Sequence, residues 1–161
     1  MGCKIIAHRG SNKEAPQNTL PAFRRAIAEG TDGFETDVHV TKDGALVICH
    51  NYTIDATSDG RGEITSYTLG ELKLFDFGSY FSDEFKGTPL PTVDEFLELV
   101  GPTDAEIINI ELKSPRQSES GIVKKTLARF DYIYNANRRF HNVSPQAEHI
   151  TFSLVKTHHL P

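Results

Sequence analysis

Four segments of this 161-residue chain carry ionisable side chains where a buried element would ordinarily be apolar: His8-Arg9-Gly10, Glu35-Thr36-Asp37, His50 and Glu111-Leu112-Lys113. Glu35, Asp37 and Glu111 offer only carboxylate oxygen. Gathered in one interior, three carboxylates repel one another and are costly to bury unless a cation compensates them. An oxygen-only set suits a hard divalent ion, Mg²⁺ or Ca²⁺, far better than Zn²⁺, whose sites usually contain Cys or His. Arg9 and Lys113 add fixed positive charge without offering metal ligands. Cations beside a hard metal are what a phosphate or phosphodiester requires, with the guanidinium suited to bidentate contact. Histidine is the residue type whose unperturbed pKa lies near neutrality, so of His8 and His50 one can accept a proton from a nucleophile while the other donates one to a leaving alkoxide.

Each residue alone has a plainer reading. A single strand-end His is most often a hydrogen-bonding residue and an isolated Glu-x-Asp a solvated edge, Arg9 suits an ion pair with Glu14 or Glu35, and Lys113 one with Glu111. The coincidence of independent segments all ending in groups of one reaction type favours a shared site. The remaining histidines are given no role: His39 is read as alternating away from the face of Glu35 and Asp37, and His141, His149, His158 and His159 lie in the less informative C-terminal part.

The elements that must position these groups follow from periodicity. Lys4 to His8 reads as a short buried strand, and the polar stretch from Arg9 to Thr19 as a loop. Leu20, Phe23, Ala26 and Ile27 repeat at helical spacing, with Pro21 in the first turn and Gly30 at the stop. Gly33 to Val40 and Ala45 to His50 read as strands separated only by Thr41 to Gly44, too short for a parallel crossover. They must form an antiparallel hairpin turned at Asp43-Gly44, which returns His50 toward the level of Glu35 and Asp37. Residues 51–91 read as an excursion outside the main sheet, with one short helix near Leu69 to Leu74. A helix over Thr92 to Val100, a strand over Glu106 to Leu112, a helix over Ser118 to Phe140 and a strand over His149 to Leu154 complete an α/β alternation. That alternation predicts a parallel sheet with helices outside it. In such an array function gathers at the carboxyl ends of the strands, and the period of two puts Glu35 with Asp37, and Glu111 with Lys113, on shared faces.

Composition bounds the rest. With 17 Lys plus Arg against 22 Asp plus Glu, the formal charge is −5, and the basic residues are scattered, which argues against a nucleic-acid partner. No apolar run approaches the length that spans a bilayer, so stable membrane insertion is not expected. Cys3 and Cys49 make no disulfide framework. Met1-Gly2-Cys3 lacks the hydroxyl residue that a myristoylation start carries at position 6, and no signal peptide precedes the sequons at Asn51 and Asn142, so a cytoplasmic chain is expected.

The ordered segments Ile6-Ala7-His8-Arg9-Gly10, Ala15-Pro16-Gln17-Asn18-Thr19-Leu20, Glu35-Thr36-Asp37-Val38, Thr41-Lys42-Asp43-Gly44, Val47-Ile48-Cys49-His50-Asn51 and Asn109-Ile110-Glu111-Leu112-Lys113 together resemble the glycerophosphodiester phosphodiesterase family. The resemblance is specific from about residue 4 to 113 and looser to Leu154. It implies a single TIM (β/α)8 barrel domain with a small insertion subdomain at 51–91 after the second strand. It also implies metal-dependent hydrolysis of a glycerophosphodiester to glycerol 3-phosphate and an alcohol, the glycerol 2-hydroxyl attacking phosphorus to give a cyclic phosphate that water opens. Carried over residue by residue, Glu35, Asp37 and Glu111 hold the divalent metal, His8 and His50 act as acid and base, and Arg9 and Lys113 bind phosphate. Gln17 and Asn18 support the site, although the family usually has Glu-Asn-Thr where this chain has Gln17-Asn18-Thr19. The substitution replaces a negative charge near His8 and Arg9 by an amide.

Only four barrel strands are countable, Lys4 to His8, Gly33 to Asp37, Glu106 to Leu112 and His149 to Leu154, about the first half of a barrel. An open half-barrel exposes an apolar edge, so the chain is expected to be a fragment of a longer protein or an incomplete record of one, with a half-barrel that pairs with a second copy as the third reading. Two rival readings stand beside the diesterase. One is a lysophospholipase D or sphingomyelinase D-like enzyme acting on a lipid head group, for which Tyr67, Phe75, Phe77, Tyr80, Phe81 and Phe85 would form a lip rather than the insertion's own core. The other is a module that binds metal or phosphate without turnover.

Overall fold

A computed structural model describes residues 2–113, 125, 126, 128, 129 and 151–155. Ile6–His8 forms β1, partly buried at Ile6 and Ala7 and exposed at His8 and so not the buried strand expected from Lys4, Ile5 being 67% exposed, and Gly33–Val40 forms β2. Between them α1 spans Leu20–Ala28. Its N-terminus is fixed by the Thr19 hydroxyl, which accepts from the Ala22 amide, with Pro21 in the first turn where a missing N–H costs nothing. The chain leaves α1 through Gly30, whose φ of +76° is open to glycine at little cost. The expected hairpin is present: Leu46–Ile48 forms β3 and pairs antiparallel with β2, Val38 opposite Ile48, after a turn in which Gly44 takes φ +86°.

Residues 51–91 contain a 3₁₀ turn at Ile64–Ser66, the short α2 at Leu69–Leu72 and a second 3₁₀ turn at Asp83–Phe85. Their inner residues Ile54, Ile64, Leu72, Phe77 and Leu90 bury themselves with Val47 and Cys49 in a cluster of their own. Phe77 is buried, Tyr67 and Phe75 pack against that cluster, and Tyr80 and Phe81 remain exposed. The chain then enters α3, Val93–Val100, through a capping box in which the Thr92 side chain and the Glu95 carboxylate satisfy each other's backbone donors.

Strand β4, Ile107–Leu112, lies parallel to β2, which is itself parallel to β1, so the order is β1-β2-β4 with β3 beside β2. Phe23 of α1, Phe34 of β2 and Phe96 of α3 meet edge-on or tilted with ring centroids 4.6–6.1 Å apart. They pin both helices to one face of the sheet, with Ile108, Ile110 and Val38 beneath. This is part of a (β/α) barrel.

One expectation is corrected. The last strand, Thr151–Val155 or β5, runs antiparallel to β4, Glu111 opposite Thr151, and not parallel as the alternation predicts. Either direction satisfies the free edge of β4 equally well. Direction is set by the connection, and the alternating apolar residues of a strand do not encode it. Of the helix expected over Ser118 to Phe140, residues 125, 126, 128 and 129 are helical and the remainder lies outside the described residues. Among the described residues no helix is long and apolar enough to cross a membrane.

Candidate active site

The site is built at the carboxyl ends of β1, β2 and β4. Because β2 and β4 are parallel and in register, Asp37 lies beside Glu111, and the period of two brings Glu35 to the same face. One oxygen from each of Glu35, Asp37 and Glu111 lies within 4.8 Å of the others. Burial leaves these groups short of partners: Glu35 Oε2 has no hydrogen-bond partner, and Asp37 Oδ1 is met only by the Lys113 ammonium, at 3.1 Å. Buried carboxylate oxygens are normally satisfied, so three clustered carboxylates with incomplete hydrogen bonding fit a hard cation as a further partner.

The loop after β1 wraps the acidic trio with donors. Arg9 sits at φ +59° and Asn18 at φ +57°, a region where Asn is tolerated and Arg is unusual. The strain is held by two backbone bonds at Arg9, its N donating to Glu35 O and its O accepting from Asn18 N, each at 3.0 Å. Gly10 follows at φ +79°, and a Cβ there would stand 2.7 Å from Ala22, so only glycine lets this loop lie against α1. The strained turn aims the Arg9 side chain inward: Nη1 donates to Gln17 Oε1 at 2.8 Å and Nε lies 3.4 Å from Asp37 Oδ2. Asn18 Nδ2 donates to the same Asp37 oxygen at 2.8 Å, while its own Oδ1 accepts from Thr36. Lys113 Nζ stands 3.1 Å from Asp37 Oδ1 and donates to Glu111 Oε1 at 2.6 Å.

The electrostatics reflect crowding. Burial, reinforced by the repulsion of Asp37, pushes the Glu35 carboxyl up to about 7 even though Arg9 opposes the shift. A divalent ion would reverse that, favouring the ionised form. Burial works against charge on Lys113, yet its hydrogen bond to Glu111 and the nearby Asp37 hold its pKa above the ordinary lysine value. His8 lies 3.6 Å from Glu35 through Nε2 and Oε2, and burial together with the Arg9 charge and His50 lowers its pKa.

His50 returns beside this group because Cys49 N donates to Asp37 O at 3.1 Å, across the hairpin. Its Nδ1 lies 2.8 Å from Asn51 Oδ1. Thus the sequence-predicted residues are gathered as follows: Glu35, Asp37, Glu111, Arg9, Lys113, Gln17 and Asn18 form one connected network, and His8 and His50 flank it, His50 lying close enough to act on His8.

The Glycerophosphoryl diester phosphodiesterase family model matches residues 8–155 of this sequence. The chain belongs to that family. A glycerophosphodiester phosphodiesterase from Caldanaerobacter subterraneus is 45% identical over 123 residues, 76% of this chain and 50% of the relative. One from Bacillus altitudinis is 37% identical, covering 84% of this chain and 55% of its own length. Among solved structures, an Oleispira antarctica phosphodiesterase in complex with the product sn-glycerol-3-phosphate superposes with a TM-score of 0.76 at 33% identity, covering 80% of this chain and 52% of that one. The chain spans about half the length of the curated relatives it matches.

Three features of this phosphodiesterase-family site escape the sequence reading. His39 does not alternate away: positions 35, 37 and 39 share one face, and His39 is buried, its ring edge-on to Tyr52 at 5.3 Å and its Nε2 3.5 Å from the His50 carbonyl oxygen. Burial depresses its pKa to about 4, leaving it neutral near pH 7. The period of two was the signal available for it. Tyr80 reaches back from the excursion, its hydroxyl accepting a hydrogen bond from the Gln17 backbone N–H at 3.1 Å. No local pattern announces such a tertiary return. Asn51 contacts His50 from the next position in sequence. The positions of His141, His149, His158 and His159 lie outside the described residues.

Proposed function

We propose that this chain carries the metal-binding and acid–base half of a phosphodiesterase that hydrolyses glycerophosphodiesters to glycerol 3-phosphate and an alcohol. The observation that carries the reading is the acidic trio of Glu35, Asp37 and Glu111, its oxygens within 4.8 Å and flanked by Arg9 and Lys113. Those three carboxylates would hold Mg²⁺ or Ca²⁺, whose charge, when bound, would offset the negative charge that develops on the phosphate. Arg9 and Lys113 bind the phosphate, Arg9 being oriented by Gln17 and Asn18 being the donor that fixes Asp37. His8 and His50 divide the proton work: one removes the proton from the attacking hydroxyl, the other supplies one to the departing alkoxide. The substrate is a small diester. Likeness to the Oleispira enzyme, which holds sn-glycerol-3-phosphate, supports glycerol 3-phosphate as product.

Glycerol 3-phosphate release from glycerophosphocholine with Mg²⁺, Ca²⁺ or EDTA tests this. Metal-dependent release that falls by on the order of 10²-fold or more in His50→Ala is expected. A folded chain that binds metal and releases no product overturns the reading in favour of binding without turnover.

A further inference from the structure

We propose that Asn51 is a positioning residue that fixes the tautomer of His50, so that Nδ1 always carries hydrogen and only Nε2 exchanges protons. The inference rests on the reading of His50 as an acid–base group. His50 Nδ1 lies 2.8 Å from Asn51 Oδ1. An amide oxygen only accepts, so the nitrogen facing it carries the hydrogen and the neutral ring keeps its lone pair on Nε2.

The main chain that carries this pair is anchored from β2 at two points. Cys49 N donates to Asp37 O at 3.1 Å, and the His50 carbonyl oxygen faces Nε2 of buried His39 at 3.5 Å. His39 is in turn held edge-on by Tyr52, the residue following Asn51. Residues 49–52 are therefore fixed on both sides of the imidazole, and Asn51 has a defined place from which to meet Nδ1.

The consequence is a one-sided proton switch. As base, Nε2 takes the proton of a hydroxyl, whose O–H electron pair stays on oxygen. As acid, imidazolium returns a proton from Nε2, the N–H pair staying on nitrogen. The Nδ1–H bond to Asn51 is unbroken in both states, so the ring does not turn over between steps. An amide does this without adding a fourth carboxylate to a site already holding Glu35, Asp37 and Glu111.

The test is the two-bond ¹H–¹⁵N ring correlation of the labelled chain at a pH where its histidines are neutral, with His50 assigned by its disappearance in His50→Gln. The parent chain is expected to show His50 with hydrogen on Nδ1. Asn51→Ala should shift His50 to the Nε2–H form that predominates in free histidine, and Asn51→Asp, which also presents a carbonyl-type oxygen, should restore Nδ1–H. A parent chain with His50 protonated on Nε2 overturns the proposal without recourse to any variant, as does an Nδ1–H form that persists in a folded Asn51→Ala chain. Turnover is a separate reading: loss of kcat by on the order of 10²-fold in Asn51→Ala with recovery in Asn51→Asp is expected. An inactive parent with the expected tautomer would count against the diesterase reading alone.

Discussion

Two lysines in this chain each stand between two carboxylates, at opposite ends of the same strands. At the amino ends of β2 and β4, Lys4 lies 3.5 Å from Asp32 and 3.0 Å from Glu106, with side-chain exposures of 44%, 33% and 34%. At the carboxyl ends, Lys113 lies 3.1 Å from Asp37 and 2.6 Å from Glu111, with exposures of 11%, 0% and 25%. The residue types are the same and the solvent is not. Water screens the first trio, so its geometry carries little energy. The second is withdrawn from water, holds a further carboxylate in Glu35, and leaves the buried Glu35 Oε2 without a hydrogen bond. A fold does not assemble that arrangement for stability, because apolar replacements would usually serve at least as well. The difference teaches that the carboxyl end is organised around something that binds.

Swapping each lysine for methionine separates the two ends most widely. Lys113→Met leaves Asp37 and Glu111 buried without their shared cation and is expected to destabilise the metal-free chain by about 3–5 kcal/mol, read by urea denaturation. Lys4→Met should leave the unfolding midpoint where it is. Equal responses would erase the distinction between the ends.

The next contrast lies in how each aspartate is held. Asp32 accepts from the Ile5 backbone amide, a donor no side-chain change removes, whereas Asp37 relies on the Asn18 side chain. Asn18→Ala removes that donor and places a Cβ-bearing residue without a polar side chain at φ +57°, for an expected loss of about 2–3 kcal/mol. Asn18→Gly should recover roughly 1 kcal/mol of it, the part owed to the backbone. If glycine is no better than alanine in thermal unfolding, the left-handed conformation is not what Asn18 supplies.

The smallest expected effect is chemical and leaves stability untouched. Cys3 is exposed beside Lys4, while Cys49 is buried beside Asp37, and burial pushes its thiol up to about 11. At pH 8 a thiol reagent should count one cysteine in the folded chain and two in denaturant. A native count of two would mean that the carboxyl end is open to water.

The same contrast explains how much the sequence told. The charged residues at the carboxyl ends were legible because ionisable groups interrupt apolar strands, and α1, β2 and α3 because their periods and caps are local, Thr19 and Thr92 standing where the helices start. The face of His39 is legible too, by counting in twos from Asp37, and the structure places it with Asp37 and not opposite. Tyr80 against Gln17 and the direction of β5 were not legible. The first depends on how a long excursion folds back and the second on the connection that precedes the strand, and neither leaves a mark in the residues concerned.

Calorimetric titration of Mg²⁺ into the metal-free chain, into Glu111→Gln and into Glu106→Gln tests the central claim most directly. One ion per chain, lost with Glu111 and retained without Glu106, is the result this account predicts. Binding that survives Glu111→Gln, or that depends on Glu106, would contradict it.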